Sequence, residues 1–457
     1  MVTNDRFFKT MFSGLLGLTW CLAACGGGGG GEGEAEAEAE AEAEAEAEAE
    51  AEAEAEAEAE AEGEPAASVT TGNIHTCARF AGGSVRCWGF AGYGQLGYGN
   101  VDSIGDDERP LNAGDVDVGG TVMRIAAGHS HTCAVLDSGA VRCWGFGTQG
   151  RLGYANVNNI GDDETPASAG DVDVGGTVAE IAAGSSHTCV LLAAGAVRCW
   201  GEGTNGRLGY GNTNHIGDNE TPATAGDVDV GATVTQIAVG GAHTCALLAT
   251  GAVRCWGLGT FGRLGYGNTS SIGDNEPPAS AGDVNVGGAV IAIAAGGTHT
   301  CVLLGTGAVR CWGSAGSGQL GYGNTDDIGD GETPASAGDV DVGGTVSQLA
   351  AGGQHTCALL DTAGLPVRCW GLGAFGRLGY GNSDTIGDGE TPTSAGDVDV
   401  GGTVTQIAAG GGHTCTVLDD GELRCWGWGT EGQLGYAAVD NIGDNETPAS
   451  AGDVPAM

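Results

Sequence analysis

Fourteen cysteines between Cys77 and Cys425 fall into seven pairs on a fixed grid, and this grid constrains the fold more than any other feature of the chain. The pairs are Cys77 and Cys87, Cys133 and Cys143, Cys189 and Cys199, Cys245 and Cys255, Cys301 and Cys311, Cys357 and Cys369, and Cys415 and Cys425. The first member recurs every 56 residues, except for one step of 58 between Cys357 and Cys415. Each pair sits in the same text. In the second copy it reads Ile125-Ala126-Ala127-Gly128, His131-Thr132-Cys133, Val141-Arg142-Cys143-Trp144-Gly145 and Gly150-Arg151-Leu152-Gly153-Tyr154, followed by Asp162 to Pro166 and Gly170 to Val174. Self-similarity at one period implies stacked units, none of which buries its faces alone. Seven units fill residues 65 to 457: 65–120, 121–176, 177–232, 233–288, 289–344, 345–402 and 403–457.

Within a unit the apolar segments are short, rich in Val, Ile, Leu, Thr and Trp, and punctuated by Gly, Asp and Asn, a pattern of strands and turns. Cys133 and Cys143 are symmetric about Ser138 in the turn Asp137-Ser138-Gly139, so a hairpin register sets the two thiols opposite each other. The sixth unit tests this: its two extra residues fall within Asp361 to Pro366, at the turn, and leave Cys357 and Cys369 still facing. Seven disulfides, each within one hairpin, are expected. The C-x2-C turns of structural zinc sites are absent, and no metal or cofactor site is assigned.

About four strands per unit and seven units point to an all-β seven-bladed propeller, which removes sheet edges by closing a ring. Gly452-Asp453-Val454 is an outer-strand copy, and its joining the blade built from the N-terminus would close that ring by strand exchange. The repeated text, of the form H-T-x-A-L, G-x-V-x-x-W-G and G-Q-L-G-x-G, resembles regulator of chromosome condensation repeats over residues 68 to 454. Gln95-Leu96-Gly97, Gln319-Leu320-Gly321 and Gln433-Leu434-Gly435 match its last element, whereas Arg151, Arg207, Arg263 and Arg377 replace Gln in the other four units. The Cys pairs depart from the eukaryotic form and look like a secreted bacterial branch. The resemblance implies protein binding, since the family includes an exchange factor for a small nucleotide-binding protein and a secreted inhibitor of β-lactamases.

Ahead of the repeats stands a leader. Arg6 and Lys9, an apolar stretch from Met11 to Ala24 too short to cross a bilayer, and then Cys25 read as an export signal over 1–24. Leu22-Ala23-Ala24-Cys25 resembles the lipobox of bacterial lipoproteins, which implies a lipid on Cys25 and an outer-membrane or surface location. Residues 25–67 are low-complexity: Gly26 to Gly31, then Glu at every even position from Glu32 to Glu64. Like charges at i, i+4 oppose a helix there, so an extended acidic tether is expected.

Composition then narrows the function. Lys9 is the sole lysine, and the seven units carry 41 acidic against 14 basic residues, which excludes a phosphate-neutralising nucleic-acid binder. The seven His of the His-Thr-Cys text occupy one address per blade, so they read as structural hydrogen-bonding groups rather than one active site. The Arg before each second Cys, such as Arg86 or Arg142, is matched by repeated acids such as Asp115 and Asp171. No unique acid, base or nucleophile cluster marks an enzyme. Function is expected where the copies differ, immediately after Trp-Gly and three residues later. Phe90, Tyr93, Phe146, Phe261, Phe375 and Trp428 are the candidate binding face, for a protein or surface polymer partner. The expectation is a monomeric, surface-anchored, non-enzymatic binding module. Nucleotide exchange on a small GTPase is the alternative implied by the resemblance. A calcium-dependent adhesin using the Asp-x-Glu-x-Pro loops (Asp106 to Pro110, Asp330 to Pro334) is a further one, although EF-hand spacing is missing.

Overall fold

The computed structural model describes residues 64 to 457; Cys25, the leader and all of the tether up to residue 63 lie outside the described residues. Seven antiparallel sheets follow one another, each built by one repeat. In the first blade the inner strand is Ala66–Thr71, the middle strand His75–Phe80 and the outer strand Val85–Gly89. The second repeats this as Val122–Ala127, His131–Leu136 and Val141–Gly145. Inner strands pack on the inner and middle strands of the preceding blade, and the first blade packs on the seventh, so the ring is closed. This is the expected seven-bladed propeller.

The expected fourth strand is reduced to one residue. Val116 N donates to Val85 O at 2.8 Å, and then Val118 N turns back onto Val116 O at 2.9 Å. This i to i+2 bond is a γ-turn and bends the chain away before a ladder can form. The same single attachment recurs as Val454 N to Leu423 O at 2.8 Å. Val454 therefore belongs to the seventh blade itself, and no strand exchange closes the ring.

Closure instead uses side chains that repeat at every blade boundary. His131 Nε2 lies 2.8 Å from Thr188 Oγ1 of the next blade, and His413 Nε2 lies 2.8 Å from Thr76 Oγ1, which completes a circle of seven such contacts. Each Thr hydroxyl donates its single proton to a backbone carbonyl, as Thr188 does to Arg151 O at 3.1 Å. The Thr oxygen must then accept from His, which fixes the Nε2–H tautomer in all seven rings. Their Nδ1 atoms have no hydrogen-bond partner. Burial drives His75 and His413 down to about 3 and His299 down to about 4.

The Trp of each outer strand is fully buried, and four of them donate to the same carbonyl address, as Trp200 Nε1 does to Arg151 O at 2.9 Å. Gly153 explains the Leu-Gly text: a Cβ there would meet Val172 Cγ1 at 2.7 Å and Trp200 Nε1 at 2.9 Å. At the seam between blades 7 and 1, Gln406 replaces a strand's hydrogen bonds. Its Oε1 accepts from Val69 N at 3.0 Å and its Nε2 donates to Val69 O at 3.1 Å.

Registers place Cys133 opposite Cys143 and Cys357 opposite Cys369, and all seven expected disulfides are formed and buried. The longer sixth hairpin absorbs its insertion in the turn, where Leu360 N donates to Pro366 O at 2.9 Å. The seven expected Arg–Asp pairs are also present, from Arg86–Asp115 at 2.8 Å to Arg424–Asp453 at 3.0 Å.

Candidate functional site

The outer strand of every blade ends in Trp-Gly, and the Gly bridges back to an Ile fifteen residues on, as Gly145 does to Ile160. The loop between them begins with the variable residue and passes through the second variable position two residues before Gln or Arg. That Gln or Arg decides the loop's shape. In blades 1, 5 and 7 the Gln side chain folds back and accepts from the second variable residue: Tyr93 N to Gln95 Oε1 2.9 Å, Ser317 N to Gln319 Oε1 2.8 Å, Glu431 N to Gln433 Oε1 2.9 Å. In blades 2, 3, 4 and 6 the Arg Nε donates to the residue before the second variable position instead, at 3.1 Å for Arg151 to Thr148 O and 3.0 Å for Arg263 to Thr260 O. There the second variable residue takes a left-handed backbone: Gln149 φ 63°, Asn205 φ 60°, Phe261 φ 62° and Phe375 φ 64°. For Phe this conformation is costly and holds the ring outward.

The face that results is aromatic on one side. Tyr93 stands 5.9 Å from Phe90 of its own blade and 4.5 Å from Phe146 of the next, and Phe375 stacks on Trp428 at 5.9 Å and 27°. Blades 6, 7, 1 and 2 therefore carry two aromatic clusters on four consecutive blades. Phe261 stands apart on blade 4, over the Arg263 guanidinium at 5.6 Å. Tyr93, Phe261 and Phe375 are 39, 48 and 46% exposed, whereas Phe90, Phe146 and Trp428 are half-buried against their neighbours. Three exposed valines, Val439, Val101 and Val157 of blades 7, 1 and 2, extend the same sector on the adjoining loop. Sequence reasoning missed them because a lone Val in a loop carries no periodicity.

The four Arg that replace Gln are buried, at 4 to 6% exposure, although the substitution alone did not announce this. Arg151 reaches Ser185 O at 3.2 Å, Thr148 Oγ1 at 3.2 Å and Gln149 Oε1 at 3.0 Å, with its guanidinium 4.8 Å from Phe146. Arg207 pairs with Glu202 at 2.9 Å. Ser185 belongs to the central channel, whose wall is a Gly pair or its equivalent from each blade. Backbone bonds run around that wall, including Gly241 N to Gly296 O at 3.1 Å and Gly411 N to Gly72 O at 3.0 Å. The channel encloses about 120 Å³, below the roughly 300 Å³ of small-molecule sites. Its lining supplies backbone and the residues Thr71, Asn73, His129 and Ser185, with no acid–base pair.

The acidic loops remain at the surface. Carboxylates of Asp106, Asp107 and Glu108, and of Asp162, Asp163 and Glu164, lie within 4.8 Å of one another. Burial and the neighbouring acids push Glu108 and Glu164 up to about 7. Among the described residues no helix is long and apolar enough to cross a membrane.

Seven disulfide-stapled blades with a repeated interior text and one variable loop face define a seven-bladed repeat propeller. The signature described as regulator of chromosome condensation (RCC1) repeat matches residues 82–135, 194–247, 250–303, 306–359 and 367–417, and a second signature of the same description matches six segments from 124–151 to 404–433. The chain belongs to the RCC1 repeat family. It is 32% identical over 368 residues to the ultraviolet-B receptor UVR8 of Arabidopsis thaliana, covering 80% of this chain and 78% of that protein. It is 29% identical to the human E3 ubiquitin-protein ligase HERC2 over 70% of this chain, which spans 6% of that much longer protein. Among solved structures, yeast RCC1 (Prp20) bound to Kap60 aligns with a TM-score of 0.63 at 20% identity, covering 84% of each chain. Human WBSCR16 aligns at 0.60 and 24%, covering 78% of this chain and 88% of that one. These two share the fold.

Proposed function

We propose that the protein is an exported, non-enzymatic binding module that recognises a partner protein or surface polymer through its loop face and is held at a membrane surface by a lipid on Cys25. The observation that carries the reading is the contrast between two addresses in one repeat. The outer-strand Trp is invariant and buried in all seven blades, whereas the residue two positions on runs Phe90, Phe146, Glu202, Leu258, Ser314, Leu372, Trp428. Ring closure needs sameness. Variation at one face, concentrated as exposed aromatic surface on consecutive blades, serves recognition. Seven disulfides suit an oxidising compartment, which supports export and disfavours a cytosolic GTPase as partner.

Changing Phe90, Tyr93, Phe261, Phe375 and Trp428 together to Ala is expected to abolish capture of the surface partner by the purified chain while leaving its melting temperature within a few degrees. Equal recovery of the same partner by both forms removes this face as the site. For the anchor, Cys25→Ser is expected to move the protein from the membrane fraction to the soluble one. Retention on membranes by the Ser variant would rule the lipid out.

A further inference from the structure

The repeat contains its own picture of a carboxylate bound at the loop face. In blade 3 Arg207 is covered by Glu202: Arg207 Nη1 donates to Glu202 Oε2 at 2.9 Å, and Thr204 Oγ1 donates to Glu202 Oε1 at 2.5 Å. Blades 4 and 6 repeat the same loop with Leu258, Phe261 and Arg263, and with Leu372, Phe375 and Arg377. The backbones superpose in their bonding, since Glu202, Leu258 and Leu372 each donate N–H to the preceding loop at 2.9 Å. Blade 4 keeps Thr260 where blade 3 has Thr204 and lacks the acid, whereas blade 6 lacks both the acid and the Thr, with Ala374 in its place.

Absence of the acid leaves two cations without a counter-charge. A guanidinium offers five N–H donors. Arg263 uses Nε and Nη2, both on Thr260, and Arg377 uses Nε on Ala374 O and Nη1 on Gly411 O at a long 3.4 Å. Neither has a salt-bridge partner among the described residues. Both are nine-tenths buried or more, at 4 and 5% exposure. Burial pulls Arg263 down to about 10, with Arg207 adding to the effect, and burial alone pulls Arg377 down; no acid opposes either shift. In a unit set with 41 acids, Arg151, Arg263 and Arg377 are the buried guanidinium groups without an acid among the described residues, but Arg151 spends its donors on Thr148, Ser185 and Gln149, whereas Arg263 and Arg377 leave most of theirs unused. A buried charge in this condition is costly unless something pairs with it.

From this geometry we infer that Arg263 and Arg377 are receptors for carboxylate side chains of an acidic polypeptide, Arg263 with Thr260 beside it as Arg207 and Thr204 hold Glu202, Arg377 through its guanidinium, each flanked by the exposed ring of Phe261 or Phe375. The inference deepens the binding-face reading and rests on it. Two sources supply the same chemistry: a partner protein with exposed Asp or Glu, or the chain's own glutamates between Glu32 and Glu62. The strongly acidic surroundings do not forbid it. At physiological ionic strength charges beyond about 8 Å are screened, whereas a contact pair on a desolvated guanidinium is not.

The test is titration calorimetry of a blocked peptide of alternating Ala and Glu, and of its Ala-Gln counterpart, into the full chain from residue 25. A second form carries Ser in place of every Glu from Glu32 to Glu62. The Ser-tether form is expected to bind the Glu peptide and to bind the Gln peptide at least tenfold more weakly. Arg263→Gln with Arg377→Gln should weaken Glu-peptide binding at least tenfold. Leu258→Glu with Leu372→Glu should do the same while keeping both Arg, because the installed acids occupy the guanidinium groups as Glu202 does. Its melting temperature should be no lower than that of the parent, which separates loss of the site from loss of the fold. If the chain with its natural tether binds the peptide tenfold more weakly than the Ser-tether form, the tether is the source; equal binding points to a partner. No binding to the Ser-tether form, equal binding of the Gln peptide, or binding unchanged by the Leu→Glu pair would each overturn the inference. Loss of a surface partner in the aromatic variant but not in the Arg variant would overturn it while leaving the proposed function standing.

Discussion

Unfolding, full reduction and refolding under reductant should give a propeller that melts about 20 °C lower than the oxidised form. Each bridge closes a hairpin with a sequence separation of 10, or 12 in the sixth blade. Chain entropy gives about 2.8 kcal/mol for a loop of that size, hence roughly 19 kcal/mol for seven independent bridges. At about 2.1 cal/mol/K per residue, close to 390 ordered residues convert this into about 20 °C. Both sulfurs of every pair are buried, so reductant added to the folded protein acts only through opening, and the comparison must use material reduced while unfolded. Scanning calorimetry of the two forms decides the matter. A shift below about 5 °C would mean that the blade interfaces, rather than the staples, hold the ring.

The second large effect is acid lability from the seven-membered His ring. With the Nε2 proton spent on Thr and Nδ1 bare in the core, protonation of a folded ring has no acceptor to meet. The folded value is depressed, to about 3 at His75 and His413, while the unfolded value is 6.5. The unfolded chain therefore binds protons first as pH falls. Stability is full above pH 6.5 and is lost as pH drops towards the folded values. At pH 5.5 each unfolded imidazole is about nine-tenths protonated, a loss of about 1.4 kcal/mol per His and of order 10 kcal/mol for the ring. Carboxylates act with the opposite sign: Glu180, raised to about 7 by burial, favours the folded state as pH falls, as do Glu108 and Glu164. The seven ring His and His129, all lowered, outnumber the five raised carboxyls Glu108, Glu164, Glu180, Glu220 and Glu422, so unfolding at pH 5.5 takes up protons on balance. Calorimetry in two buffers of different ionisation enthalpy measures this uptake, and net proton release would refute a ring of neutral His in the folded state.

Much of the fold was legible because the repeat samples the same local problem seven times. The Cys pairs, the hairpin between them and the Arg–Asp pairs all join residues within one unit, and symmetry about the turn gave the register. The fourth strand was overcounted because Gly170 to Val174 and its copies have strand-like composition, and nothing in that text signals the γ-turn seen at Val116 to Val118. How the ring closes was not legible for a related reason. A terminal outer-strand copy left strand exchange open, but the attachment of Val454 to Leu423 is an intra-unit bond, and the seam is sealed by Gln406, His413 and Thr76 across residues more than 330 apart.

The candidate face was only half legible. Variation at two loop addresses identified Phe90, Tyr93, Phe146, Phe261, Phe375 and Trp428, but not which of them meet. Adjacency of blades 7 and 1 is a property of the closed ring, so the pairing of Tyr93 with Phe146 and of Phe375 with Trp428 on four consecutive blades required the tertiary structure. The Gln-to-Arg change at Arg263 and Arg377 was visible in the text, yet its meaning depended on burial and on the missing counterpart of Glu202.

The sequence by itself determined the number of blades, the disulfides and the family, because these follow from local periodicity and from contacts within a unit. The tertiary structure alone decided how the ring closes, which aromatic side chains share a surface and which guanidinium groups are left without a carboxylate. Those depend on desolvation and on contacts between blades, and free energies of that kind are set by what surrounds a residue in space, which its neighbours along the chain do not specify.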